Sequence, residues 1–344
     1  MTDDIARLER CFTHFAEFCD GDSPLYTTLT RQVAEDRWLL ELASAAQRKQ
    51  PANNMLFAAV QFLLLGGVEH ELRAYYPSVG GGRASDDVFP VFLDFCRTFD
   101  TEIVELIRTR RVQTNEVGRC GLLLPALALV WDHFDHHPLY LIDVGASAGL
   151  NLMLDRYRYE YNGEHTCGPD SSAVIRTSFK DGAACPVPGA IPEIGDRVGI
   201  DIAPADVTDD DQMRWIQSMI WADMLGRIEL FRAAVSIARQ SPPRMIAGDA
   251  IEILPGVVRS APPEFVPCVY HSHAIYQMSE EWRAAFESML AELGRDRPLA
   301  QISLEWLGDD PGPKLHLTIC TGGDRHTTHL ADCHHHGRWI RWVE

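Results

Sequence analysis

The stretch that most constrains this chain is Leu139-Tyr140-Leu141-Ile142-Asp143-Val144-Gly145-Ala146-Ser147-Ala148-Gly149. It begins as a short apolar run, with the length and character of a strand buried inside a sheet. Small residues follow, and then a helical stretch, Leu150–Tyr157. A strand that ends in glycines and opens a helix starts a βα unit, so the rest of the chain must supply a largely parallel sheet. Small side chains at such a turn let the backbone bend tightly and let a ligand approach it.

Upstream of Leu139 only helices are legible. Asp4–Cys19 spaces Ile5, Leu8, Phe12, Phe15 and Phe18 on one helical face. Tyr26–Gln47 is amphipathic, and Asn53–Leu65 is apolar on nearly every side, so it should be buried. Tyr75–Asp87, with Pro77 and Gly80-Gly81-Gly82, reads as loop. Val88–Arg111 and Gly118–Phe134 complete the helical part. Downstream, strands are expected at Arg197–Ile202, Arg244–Ala247, Val266–His271, Leu299–Trp306, Lys314–Cys320 and Trp339–Val343. Helices fall between several of them, Asp211–Arg239 and Ser279–Leu293 among these. The last two strands have no helix between them and should run antiparallel.

The expected architecture is α/β: a helical domain over residues 1–135, a lid by position, then a Rossmann-like domain over 136–344. Its sheet should have about seven strands, mostly parallel. Residues 157–197 break the alternation and read as an insertion carrying a hairpin, Tyr157–Tyr161 with Ala173–Ser178.

Charge and composition narrow the function. The net charge of −18 argues against binding a phosphate backbone and points to a small-molecule or protein partner. No apolar run reaches the roughly 18 residues of a membrane span. Met1–Arg10 lacks the apolar core of a secretory signal, and the 9 cysteines include no C-x-x-C, so reduced thiols and a cytoplasmic location are expected.

Three chemistries use a turn like Gly145–Gly149. A dinucleotide fingerprint, G-x-G-x-x-G, keeps only Gly145, since Ser147 and Leu150 stand at the other glycine positions. The nucleophile elbow G-x-S-x-G is matched literally and would make Ser147 a hydrolase nucleophile, but an elbow needs earlier strands. The third resembles the S-adenosylmethionine site of Rossmann-like methyltransferases, with an acid ending the first strand before the turn. Asp143, Gly145, Ala146, Ser147, Gly149 and Asn151 would then line the cofactor. Asp201 would follow the second strand and meet the ribose, and Asp249-Ala250 would follow the third and meet the adenine. The usual distance from the glycines to the ribose acid is roughly 20 residues, so Asp201 fits only if 157–197 is an insertion.

Other residues have two readings. Asn115 and Glu116 reach the cofactor's amino-acid end or cap a helix, and Arg119 binds a carboxylate or forms a structural ion pair. His271 is the preferred general base at the end of the fourth strand, with His273 and Tyr276 beside it. The C-terminal His316, His326, His329, Cys333, His334, His335 and His336 raise a metal question, but His336-Gly337-Arg338-Trp339 reads better as packing, and no metal is expected. Asp209-Asp210-Asp211 reads as a helix start.

The chain also resembles a bacterial family known as a domain of unknown function. The resemblance lies in Gly21-Asp22-Ser23-Pro24-Leu25-Tyr26, Tyr75-Tyr76-Pro77, Gln113-Thr114-Asn115-Glu116-Val117-Gly118-Arg119 and Val144–Tyr161. It continues in Arg214-Trp215, Gly248-Asp249-Ala250, His271-Ser272 and His336-Gly337 with Trp339. It implies a class I methyltransferase-like fold and names no substrate. The expected function is S-adenosylmethionine-dependent methyl transfer. The alternatives are a protein that binds S-adenosylmethionine or a nucleoside without catalysis, and a serine hydrolase using Ser147.

Overall fold

A computed structural model describes residues 2–181, 186–307 and 311–343. Its helices are α1 (Thr2–Cys19), α2 (Pro24–Glu35), α3 (Arg37–Ala43), α4 (Ala52–Leu65), α5 (Val88–Thr98), α6 (Asp100–Thr109), α7 (Cys120–His133), α8 (Asp210–Ser218), α9 (Leu225–Gln240), α10 (Ala250–Ser260) and α11 (Glu280–Asp296). Its strands are β1 (Leu139–Val144), β2 (Arg158–Tyr161), β3 (His165–Cys167), β4 (Val174–Phe179), β5 (Ile194–Asp201), β6 (Arg244–Ala247), β7 (Val266–Ser272), β8 (Leu299–Glu305), β9 (Lys314–Thr321), β10 (Asp324–Cys333) and β11 (Trp339–Trp342).

The chain forms two compact units. One joins Met1–Thr114 to Asp210–Glu229; the other joins Asn115–Asp209 to Leu230–Glu344. Helix α7, read from sequence as the last helix of the N-terminal domain, therefore lies in the second unit. The segment Asp211–Arg239, read as one helix between strands, is two helices, and α8 lies in the first unit.

In the first unit α4 is buried on nearly every side, as its composition requires. Phe12 and Tyr26 pack on its Phe57, and Trp221 stacks on Tyr26 at 5.7 Å. The buried Gln61 on α4 accepts from the Tyr26 hydroxyl at 2.9 Å and donates to Ile220 O at 2.7 Å. Asp223 accepts from the Ser23 hydroxyl at 2.7 Å and from Leu25 N–H at 3.3 Å, while Ser23 itself caps α2 through Tyr26 N–H. Arg110 and Arg214 hold Asp211, in the first turn of α8, which lowers its pKa.

The second unit is built on one sheet of 11 strands, ordered β3-β2-β4-β11-β10-β9-β8-β7-β1-β5-β6. Five of them, β6-β5-β1-β7-β8, run parallel. This corrects the expectation of about seven strands in three ways. Strand β10 lies where Gly322-Gly323 suggest loop; both have positive φ and form the two-residue turn between β9 and β10. The final β11 is therefore not beside β9: both flank β10 and run antiparallel to it. The expected hairpin of the insertion is instead a parallel pair, β2 with β4, and the short β3 pairs antiparallel with β2. Strand β4 joins β11, so the insertion extends the sheet.

Helices α10 and α11 cover the side of the sheet that Tyr140, Ile142 and Val144 face, with Leu254, Phe286 and Leu290 in that core. Successive strand residues point to opposite sides. Asp143 thus faces the side where its charge bears on Cys120 of α7.

Asp223→Ala removes the acceptor that ties Ser23 and the start of α2 to the segment after α8. It should cost about 1–3 kcal/mol of unfolding free energy. Urea denaturation followed by circular dichroism should show a lower midpoint; an unchanged midpoint would contradict this account.

Candidate functional site

In the parallel part of the sheet the chain order reverses at β1, which lies between β5 and β7. Ligands of open α/β sheets bind at such switch points, outside the carboxyl ends of the strands. The glycine turn lies there. Gly145, Ser147 and Gly149 all have positive φ. A Cβ on Gly145 would come within 2.4 Å of the Ala274 Cβ, and one on Gly149 within 2.7 Å of Pro243. Glycine is therefore required for contact as well as for conformation.

Neighbouring residues already hold several of the turn's N–H groups. Gly145 N–H donates to Ile200 O at 2.8 Å, Ser147 N–H to Asp201 Oδ2 at 2.8 Å, and Leu150 N–H to Asn115 Oδ1 at 3.0 Å. The other oxygen of Asp201 accepts from Ala203 N–H at 2.9 Å. The helix expected after the turn is a seven-residue 3₁₀ segment, Leu150–Arg156, kinked at Met153. Arg197 pins it to β5 with two bonds to Asp155, at 2.6 and 2.9 Å, and one to Leu152 O. Asn151 accepts from the Cys120 thiol at 3.4 Å.

At this switch point the buried Ser147 Oγ has no hydrogen-bond partner, and the buried Asp143 Oδ2 and Tyr270 Oη have only their contact with each other, which tempers the rise in the Asp143 pKa. Asp143 and Tyr270 are register partners on adjacent parallel strands. Burial, helped by the Asp201 charge, pushes the Asp143 carboxyl up to about 8. Ser147 has no base on its hydroxyl, and a nucleophile needs one within hydrogen-bond reach.

The residues before α7 meet the C-terminal loop. Glu116 Oε1 accepts from Gly118 N–H, and Oε2 lies 3.0 Å from His336 Nδ1. Arg119 donates to His335 O at 2.9 Å and to Ser272 O at 3.1 Å. A Cβ on Gly337 would sit 2.1 Å from Gly118 O, and one on Gly118 would sit 2.5 Å from His336 O. Gly118 and the His336-Gly337 pair therefore interlock backbone to backbone.

His271, the preferred base, is corrected. Its ring is fully buried, with Nδ1 2.8 Å from Glu305 Oε1 and Nε2 3.1 Å from Gln301 Nε2. Both nitrogens are in use, and the ring packs on Phe286 of α11, on the side of the sheet away from Asp143. Gln301 donates to Nε2, which assigns the hydrogen to Nδ1 and to the bond with Glu305. Glu305 also accepts from the N–H groups of Ala274, Ile275 and Tyr276. Glu305 and Gln301 escaped the sequence reading, although two polar residues in the apolar run Leu299–Trp306 were a visible signal.

His273 lies closer to the turn, since its neighbour Ala274 is the residue that Gly145 faces. Its φ is +51°, and its Nε2 is buried without a partner. Burial, with the charges of Arg119 and its neighbouring histidines, drives its pKa down to about 2. The ring is neutral at physiological pH and a weak base. The half-buried His335 falls to about 4, also mainly through burial. Tyr276 is exposed, beside His273.

Asp249 lies apart from this group. It caps α10 through Ile251 N–H at 2.9 Å and accepts the Trp282 indole N–H at 3.1 Å; Ala250, the first residue of α10, is buried. Among the described residues no three His, Cys, Asp or Glu side chains are placed to hold a metal, and no helix is long and apolar enough to cross a membrane.

Gly337→Ala combines a forbidden φ with a backbone clash. It should cost at least about 2 kcal/mol, read as a lower unfolding midpoint. His273 has a second consequence. Its folded pKa lies below the unfolded 6.5, so the unfolded chain binds more protons in acid, and this contribution is complete above pH 6.5 and lost as pH falls. Its slope is at most about 1.4 kcal/mol per pH unit. His273→Asn, which tolerates the left-handed backbone, should lose less stability than wild type between pH 7 and pH 5. Equal losses would refute the buried neutral ring.

A family model described as "Uncharacterized protein conserved in bacteria (DUF2332)" matches residues 9–342. No curated protein matches the chain. Among solved structures, the crystal structure of Streptomyces venezuelae DesVI is similar at 11% identity, covering 62% of this chain and 75% of that chain, with a TM-score of 0.26. At that score the likeness carries no argument.

Proposed function

The chain belongs to this bacterial family, and on that premise we propose that its second unit binds S-adenosylmethionine at the carboxyl ends of β1, β5 and β7 and transfers its methyl group to a small molecule or a protein. The observation that carries the reading is the buried polar group at the switch point, where Ser147 Oγ has no partner and Asp143 Oδ2 and Tyr270 Oη have only each other. An unsatisfied buried hydroxyl costs about 1–3 kcal/mol, so a ligand that bonded to it would be favoured.

The residues suit a nucleoside cofactor at the ends of β1 and β5, whereas Asn115, Glu116, Arg119 and Asn151 are engaged with the protein itself. A carboxylate has about four lone-pair sites. Asp201 uses its oxygens on Ser147 and Ala203 N–H and keeps capacity for ribose hydroxyls. Gly145, Ala146 and Gly149 keep the turn free of bulky side chains. Asp249 is committed to Trp282 and the α10 cap, so an adenine amine would find its partner elsewhere.

When bound, S-adenosylmethionine supplies an electrophilic methyl group. The protein's task is placement of the acceptor in line with it. Asp143, protonated near neutral pH, offers a donor as well as an acceptor. His273 Nε2 serves as a hydrogen-bond partner for the acceptor. Asn115 and Arg119 hold the turn and the β7 loop in position. The low basicity of His273 favours one alternative, binding without transfer.

Calorimetric titration with S-adenosylmethionine and S-adenosylhomocysteine tests this. Micromolar binding is expected, weakened about tenfold or more in Asp201→Ala and Asp143→Ala. If neither nucleoside gives heat or raises the unfolding temperature, the reading fails. Binding without labelled methyl reaching any acceptor pool would leave the non-catalytic alternative.

A further inference from the structure

Large exposed apolar side chains concentrate on one rim of the second unit. Ile202 follows β5, Tyr276 lies in the loop after β7, and Trp306 and Leu307 follow β8. All are at the carboxyl ends of parallel strands. Tyr276 and Trp306 also end a continuous row of rings. The Tyr276 and His273 centroids are 6.1 Å apart, His273 and His335 5.6 Å, and His335 and Trp306 4.7 Å. The middle of the row carries the buried, unpartnered His273 Nε2.

We propose that this row is the acceptor platform, and that it takes a planar aromatic molecule bearing a hydroxyl group, which hydrogen-bonds to His273 Nε2. Four lines of chemistry select that class. Aromatic rings at 4.7–6.1 Å spacing offer faces and edges to a flat π-system. The bare Nε2 requires a polar partner, and with the ring hydrogen assigned to Nδ1 a hydroxyl donates to it. A neutral imidazole forms no ion pair with a carboxylate. The Arg119 guanidinium, bonded to the backbone of His335 and Ser272, repels a cationic ligand. The methyl-transfer step rests on the cofactor reading above; the binding step does not.

The probe is 2-naphthol, titrated calorimetrically and by saturation-transfer NMR into the full chain without cofactor. Its comparators are 2-methoxynaphthalene, which lacks the hydroxyl proton, and decahydro-2-naphthol, which lacks the aromatic rings. 2-Naphthol should bind several-fold tighter than either. Trp306→Ala and Tyr276→Ala, both at exposed positions that tolerate truncation, should each weaken it by about two- to tenfold. His273→Asn should reduce the preference for 2-naphthol over its methyl ether. Absence of 2-naphthol binding, equal binding of the saturated alcohol, or indifference to both aromatic truncations would overturn the proposal. Titration of wild type with S-adenosylmethionine alone keeps the two readings separate. Naphthol bound without the nucleoside removes the cofactor and keeps the platform; the nucleoside bound without naphthol does the reverse.

Discussion

The Glu305 carboxylate organises the candidate site. It is buried, and it accepts from the His271 ring and from three consecutive backbone N–H groups of the β7 loop. A buried carboxylate is costly unless its oxygens are well supplied with donors. Here the donors are the loop itself, so satisfying the charge and shaping the loop are one event. His271 in turn rests on Gln301, and Gln301 is held between Glu287 and Arg325 near the surface. The loop that places His273 and Ala274 beside the glycine turn is thus fixed by polar bonds that run from strand to helix.

A second constraint is close approach of backbone to backbone. Gly118 and Gly337 have no space for a side chain because each faces the other's loop. Thr177 donates to Gly337 O at 2.9 Å, and Tyr161 donates to Gly121 O at 2.9 Å. The inserted strands are tied in this way to the start of α7 and to the C-terminal loop. Asn115-Glu116, for which a ligand and a helix cap were both open, and His336-Gly337, read from sequence as packing, do much of their work on the protein itself. Asn115 caps the short 3₁₀ segment and Glu116 engages His336.

The legible parts of the sequence were those governed by local pattern. The parallel strands β1, β5, β6, β7 and β8 each carry an apolar run bounded by breakers, and each appears near its expected position. Asp143, the glycine turn and Asp201 also come together as the pattern implied. The missed parts depend on non-local pairing. Strand β10 is polar over its first half, and only pairing with β9 makes it a strand. The choice of His271 failed on the parity of one residue. Tyr270 and His271 are adjacent, so one faces Asp143 and the other faces α11. Register with β1 decides which, and no short motif contains it. Asp249 failed for a similar reason: nothing near it in sequence announces Trp282.

The discontinuity of the first unit has a consequence for biosynthesis. Ser23, Tyr26 and Gln61 each have partners in the later segment, in Asp223, Trp221 and Ile220 respectively. The ribosome must therefore deliver everything from Asn115 to Asp209 before the earliest helices can close their core. The N-terminal helices emerge first and finish late, and until then the part of their core that Trp215, Trp221 and Ala222 complete stays open. The nascent chain depends in that interval on a chaperone or on transient collapse. Translation speed through the first half of the sheet then becomes a determinant of yield.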